Sequence, residues 1–391
     1  MKASCSLIAL LHGLDDLLGP EPSCDHRDKD GERLLPWPPF PTITLAAGRG
    51  QLTMTGIYHG VTMEIVVPAR VREHGAIDLR ASVFHHLLEG LLHGENENRI
   101  ELSTKHGNTT RLCIAVGPTS SWISGTARAN SEVEALDAMP HALPASEVCE
   151  SIRRTLHAVG RDMKLNPAFR ALHFFQTGRL LTTIGTDGRV LARSEVACLS
   201  NLETPFPRVG LSWESAELLA RLLRHHTENL VDLRVCPTYC SWTLSSGSRL
   251  TSHLITQVPP DFLAVIPSRD DFHRILSEDF EQAFEMVADV GNPSILFRVQ
   301  ADGAEILLSG AHPTDAGVST VIPIRSGKLP PWRGKFGTLY LLSIFQSSSA
   351  GEGSPMEISM GTALNDALVV RSDGYLAVLM PVSSTDADYR G

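Results

Sequence analysis

LTTIGTDGRVLARSEV, residues 181–196, places an Asp-Gly pair between two apolar runs. Asp-Gly tolerates a tight turn, because glycine accepts positive φ and the aspartate side chain bonds the backbone of the turn. The flanking runs, Leu180 to Ile184 and Val190 to Val196, are rich in Val, Thr, Ile and Leu and read as two strands. The stretch therefore predicts a hairpin. The hairpin recurs as LTMTGIYHGVTMEIVV at 52–67 and as ILLSGAHPTDAGVSTVIPI at 306–324, with a longer turn in the third copy.

Other elements keep the same spacing. ASVFHHLLEGLL (81–92), SWESAELLARLL (212–223) and GKFGTLYLLSIF (334–345) follow the hairpins and carry apolar residues at helical intervals. Strand pairs are expected after each, at 99–116, 230–246 and 356–370. A second helix precedes each hairpin: the N-terminal stretch with Leu7, Leu10, Leu11, Leu14 and Leu18 on one face, then 144–164, then 267–288. A repeat of about 125 residues is too long for a solenoid and implies duplicated domains with separate cores. The expected fold class is α+β with three similar domains, 1–134, 135–262 and 263–391. The polar, then Pro-rich segment 19–41 reads as a surface loop of the first.

The chain has 391 residues and a formal net charge of −10, which disfavours bulk electrostatic coating by nucleic acid. A local basic lining stays compatible with it. Along 146–164, Val148, Ile152, Leu156, Val159 and Met163 form an apolar face. Arg153, His157, Arg161 and Lys164 follow at steps of four, four and three, as one stripe on the opposite side. Such a stripe is either a solvated face or a phosphate-facing surface. The second helix of that domain adds Arg221, Arg224, His225 and His226. The first domain offers His85, His86 and His93 instead, and 268–289 is acidic.

No run of 18 apolar residues predicts a membrane span. The start lacks the cleavage region of a signal peptide. Seven scattered cysteines suggest reduced thiols in a cytoplasmic protein. Cys236 and Cys240, with His225 and His226 upstream, are half of a zinc motif without the other half, so no metal and no other cofactor is expected. GxGxxG, P-loop, HExxH and GxSxG sequences are all missing. No catalytic residues are assigned.

Three stretches, in order and well separated, carry a resemblance. TDGRVLA (186–192), PPDFLAVIP (259–267) and YLAVLMPV (375–382) are similar to the TDG-His-Arg-Leu-Ala, PDY-x-x-VLP and C-terminal VMPMR motifs of the bacterial DNA polymerase III beta subunit, the DNA sliding clamp family. The likeness spans nearly the whole chain and is weakest over 1–40. It implies three clamp domains per chain and a homodimeric ring, with helices lining the hole and sheets outside. The implied function is a processivity factor, without catalysis of its own, that encircles double-stranded DNA without sequence preference. The ring would be opened by a clamp loader. Arg153, His157, Arg161, Lys164, Arg221 and Arg224 would then face DNA.

The resemblance also implies a groove for short peptides of the replicative polymerase, the loader and repair proteins. Its residues here are Thr186, Gly188, Arg189, Leu191, Pro260, Val265, Tyr340, Val378, Met380 and Pro381. The chain departs from the family at Arg189-Val190, where His-Arg is usual, at Leu263 and Ala264, where basic residues are usual, and in the tail STDADYRG. These departures imply a partner preference different from that of a housekeeping clamp, and the unusual first domain fits an accessory copy, a plasmid-borne copy or one adapted to evade a groove-binding inhibitor alike. A protein that keeps the groove without a loadable ring, and so sequesters clamp partners, is the alternative.

Overall fold

The computed structural model describes residues 1–19, 40–94, 98–105, 110–128, 138–197, 206–225, 230–258, 261–288, 294–299, 303–311, 317–325, 328, 332–348, 355–361 and 366–382. The expected loop over 19–41 therefore lies almost wholly outside the described residues, as does the tail from Ser383.

One order of elements occurs three times. It runs first through β1 (Lys2–Ser6), α1 (Leu7–Leu18), β2 (Thr42–Gly48), β3 (Gln51–Tyr58), β4 (Val61–Glu73), β5 (Gly75–Arg80), α2 (Ala81–Gly94), β6 (Arg99–Lys105), β7 (Thr110–Val116) and β8 (Thr119–Arg128). It returns as β9 (Pro140–Pro144), α3 (Ala145–Thr155), β10 (Ala171–Thr177), β11 (Leu180–Thr186), β12 (Val190–Ala197), β13 (Val209–Ser212), α4 (Trp213–Arg224), β14 (Leu230–Val235), β15 (Tyr239–Leu244) and β16 (Arg249–His253). The third pass is β17 (His273–Leu276), α5 (Ser277–Ala288), β18 (Ser294–Val299), β19 (Glu305–Ala311), β20 (Gly317–Pro323), β21 (Arg333–Gly337), α6 (Thr338–Ser348), β22 (Pro355–Ser359), β23 (Leu368–Ser372) and β24 (Tyr375–Leu379). The class is α+β, with antiparallel pairing throughout the described sheets.

The chain divides into two compact units. The first comprises Met1–Cys149 and Glu214–Leu254, the second Glu150–Trp213 and Ile255–Gly391. In the first, twelve strands run in the order β1-β6-β7-β8-β5-β2-β3-β4-β16-β15-β14-β9. Helix α1 starts at Ser6, whose Oγ accepts from the Ala9 amide at 3.2 Å, a standard N-cap. It buries Leu7, Leu10, Leu11, Leu14, Leu17 and Leu18. Gly13 is required by packing: a Cβ there would lie 2.8 Å from Met54 Cε and 2.9 Å from Ile65 Cγ2. Only a residue without a side chain lets α1 approach β3 and β4 this closely.

The second unit holds an eight-stranded sheet, β13-β10-β11-β12-β24-β23-β22-β17, and a four-stranded sheet, β20-β19-β18-β21. Its main core gathers Phe280, Phe284, Phe297, Phe336 and Phe345 with Ile275, Leu341, Ile344 and Trp332. Phe280 stacks on both Phe284 and Phe345.

Several predicted elements change. A short strand precedes α1, α3 and α5, where helix was expected from the outset; the stretch 267–288 turns helical only at Ser277. Ile275 explains the last case, being fully buried in β17 against β22. GKFG of 334–337 is strand, and α6 starts at Thr338. The largest change is at 146–164. Helix α3 ends at Thr155, one 3-10 turn covers Leu156–Ala158, and Val159 is extended at ψ 130°. Gly160 then donates its amide to the Phe169 carbonyl at 2.8 Å, which takes the chain away from the helix axis. Met163, expected on the apolar face, is 73% exposed.

Candidate functional site

The turn of residues 186–190 is built by its own side chains. Asp187 Oδ1 accepts from the amides of Arg189 at 2.8 Å and Val190 at 3.0 Å. Thr186 Oγ1 accepts from the Gly188 amide at 3.1 Å and donates to the Val190 carbonyl at 2.7 Å. Gly188 has φ +88°, which favours glycine. The other Asp187 oxygen, Oδ2, accepts from the Tyr340 hydroxyl at 2.5 Å, tying the turn to α6. Burial and the Asp187 carboxylate both push the Tyr340 phenol up, so it stays protonated as the donor.

Strand β12 leaves this turn and pairs with β24, with Leu191 opposite Val378 and Val190 opposite Leu379. Beyond the ladder, the Met380 amide donates to the Arg189 carbonyl at 2.9 Å. Leu191 and Val378 belong to a small buried cluster with Ile184, Phe262, Ala367 and Val369, flanked by Phe175, Ile266, Phe272 and Leu376. This floor carries exposed apolar residues nearby in the chain: Met380 is 48% exposed, Val265 59%, and Leu263 and Val382 are exposed too. Pro381 and Tyr340 are half-buried.

The structure thus brings together Thr186, Gly188, Arg189, Leu191, Val378, Met380 and Tyr340. Val265 sits on a short 3-10 turn, Leu263–Val265, and stays outside the buried cluster, which Phe262, the residue just before the turn, enters. Pro260 lies outside the described residues. Sequence reasoning missed Asp187, Phe262 and Val369 as parts of this arrangement. Phe262 stood in the PDY-like stretch as its aromatic, which was the available signal.

The basic residues are less uniform than the stripe implied. Because α3 stops at Thr155, Arg153, His157, Arg161 and Lys164 do not share one helix face. Arg153 is exposed and makes two 2.7 Å contacts with Glu150. His157 is packed against Ser347, Nδ1 to Oγ 3.1 Å, and burial lowers its pKa to about 4. It is neutral at pH 7 and supplies no charge for phosphate, which corrects its place in the stripe. Arg161 lies 4.3 Å above the Trp213 ring. Lys164 is exposed. In the other unit, Arg221 donates to Glu217 and to the Leu18 carbonyl, both at 3.2 Å, so it closes the C-terminus of α1. Arg224 and His225 are exposed, and His226 lies outside the described residues. Cys240 is fully buried in β15, and burial pushes its thiol up to about 12, far from a metal-binding thiolate.

No protein-family model matches the chain, and no curated protein matches it. Solved structures do. The DNA polymerase sliding clamp of Bacillus subtilis is similar at 17% identity and TM-score 0.79, covering 98% of this chain and 100% of its own. The DNA polymerase sliding clamp of Caulobacter crescentus is similar at 20% identity and TM-score 0.77, over 98% and 100%. A sliding clamp of Pseudomonas aeruginosa, solved bound to griselimycin, is similar at 18% identity and TM-score 0.77, again over 98% and 100%. With the β12–β24 pairing and the thrice-repeated element order, these full-length likenesses give the chain the fold of the bacterial DNA sliding clamp, the beta subunit of DNA polymerase III.

Proposed function

We propose that the protein is a polymerase processivity clamp, non-catalytic and cytoplasmic, with clamp domains at 1–134, 135–262 and 263–391. Two chains close head to tail into a ring around duplex DNA, which a clamp loader opens. Polymerase, loader and repair proteins dock short peptides over the floor formed by Leu191, Val378 and Phe262. Among the described residues, no helix is long and apolar enough to cross a membrane.

The observation that carries this reading is the pattern of strand partners. The third strand of one repeat's four-strand group pairs with the last strand of the next repeat: β4 with β16, and β12 with β24. The same rule leaves β20 and β8 over. β20 is an edge strand, and residues 119–125 of β8 pair with β7 alone among the described strands. An open edge invites a further strand. A second copy supplies each missing partner, and a head-to-tail contact that closes gives a ring. Val321 on β20 and Trp122 on β8 are both exposed, at 43% and 54%.

Light scattering tests it. The wild-type protein should have twice the 42.5 kDa chain mass. Trp122→Asp or Val321→Lys should halve it with folding intact. A wild-type monomer at micromolar concentration would remove the ring.

A further inference from the structure

We infer that His85, His86 and Glu89 on α2 form a zinc site with one coordination position open to solvent. The helix places His85 and Glu89 one turn apart. His85 Nδ1 and His86 Nδ1 each lie 3.4 Å from the same Glu89 oxygen, Oε2. One ligand atom from each of the three residues falls within 4.8 Å of the others. Zinc bonds of about 2.0–2.2 Å to nitrogen and oxygen put tetrahedral ligands roughly 3.3 Å apart. Two of the three edges of this cluster already have that length.

The support behind the ligands fits as well. His85 Nε2 lies 2.7 Å from Asp15 Oδ1 on α1. With Nε2 directed at that carboxylate, the Nδ1 edge of the ring faces Glu89. This is the carboxylate–histidine–metal arrangement that orients ligating imidazoles. Nδ1 and the Glu89 oxygen stand at the separation of two ligands that share one metal ion. Two imidazoles and one carboxylate suit zinc, whereas magnesium and calcium prefer all-oxygen sites. His85 is almost buried, while the side chains of His86 and Glu89 are 55% and 45% exposed. The open position therefore faces water. Sequence reading missed the site because His-His-x-x-Glu matches no metal motif, and the Asp15 contact spans 70 positions.

The test is calorimetric titration of zinc chloride into the full-length, tag-free protein, stripped with chelator, at pH 7.5. One equivalent should bind at micromolar affinity or better. His86→Ala and Glu89→Ala should each weaken it at least tenfold. Asp15→Asn, which removes the positioning carboxylate and leaves all three ligands in place, should weaken it roughly 10–100-fold. His86 and Glu89 are exposed enough that their variants should keep the wild-type circular dichroism. Absence of zinc binding would overturn the site. Stoichiometric binding that survives the His86→Ala/Glu89→Ala double variant would also overturn it, placing the zinc elsewhere.

Discussion

Asp187 fixes its own turn with one oxygen and holds Tyr340 with the other. The backbone that follows, Arg189 to Leu191, is thereby set against β24, and Met380 is presented at the end of that strand. A residue exposed beside a buried apolar floor is well placed to anchor an incoming side chain, and methionine adapts to varied ligands. Met380→Ala should therefore weaken a polymerase-derived peptide by about 1–2 kcal/mol, read by calorimetry. Val265→Ala should cost less, because Val265 stays outside the cluster. Equal affinity of wild type and Met380→Ala would remove the docking role.

Asp16 in α1 presents a different case. Burial first, and then the Asp15 charge, push its carboxyl up to about 7, although His12 and Arg224 pull the other way. Its side chain is 10% exposed and lies 3.4 Å from His225. The folded-state value is above the unfolded value of about 3.9, so between these the folded protein binds more protons. Stability should fall as pH rises from about 4 to about 7, and stay level above. The cost at pH 8 is on the order of 2–4 kcal/mol, since each tenfold difference in proton affinity between the folded and unfolded chain is worth about 1.4 kcal/mol. Asp16→Asn should raise the denaturation midpoint at pH 8 and flatten this dependence. An unchanged pH profile in the variant would contradict the assignment.

Among the elements, the hairpins were the most legible in sequence. Asp-Gly and His-Gly turns between β-branched runs leave little choice, and β11–β12 and β3–β4 formed where expected. The helix after each hairpin was also legible, from leucines at helical spacing. The edges of helices were not. Residues 146–164 kept an apolar period beyond the point where the helix stops, because Val159 is buried from an extended backbone. Gly160 was the available stop signal. A helical wheel drawn through it joined Arg161 and Lys164 to a face they do not share. The short leading strands were missed because each is completed by distant partners, as β17 is by β22. The pairings that join one repeat to the next are equally non-local. Arg249 faces Glu64 across β16 and β4, Nε to Oε2 2.8 Å, with side chains only 16% and 12% exposed. Glu64→Ala leaves a poorly hydrated guanidinium and should cost about 2–4 kcal/mol in urea denaturation, through a lower midpoint. Glu64→Gln should cost less, and a midpoint unmoved by Glu64→Ala would show the pair contributes little.

At the scale of the whole molecule, the resemblance of three short motifs anticipated a fold that composition alone could not give. Two of those motifs meet as β12 and β24, although half of the second repeat and nearly the whole of the third separate them in sequence. The charges were the less legible part. Their roles depend on what each side chain touches: Arg221 closes α1, His157 is neutral, and Arg161 rests on Trp213. Arg153, Arg161, Lys164 and Arg224 are the exposed members of the predicted DNA-facing set, while α5 exposes Glu278, Glu281 and Glu285. In the proposed ring, so few positive groups should hold DNA by enclosure far more than by attraction. The direct measurement is retention on nicked circular duplex DNA after loading with a clamp loader and ATP, followed by gel filtration at salt high enough to screen phosphate contacts. The protein should elute with the circle and leave it when a restriction enzyme makes the DNA linear. Failure to stay on the circle, or equal retention on linear DNA, would contradict the topological link.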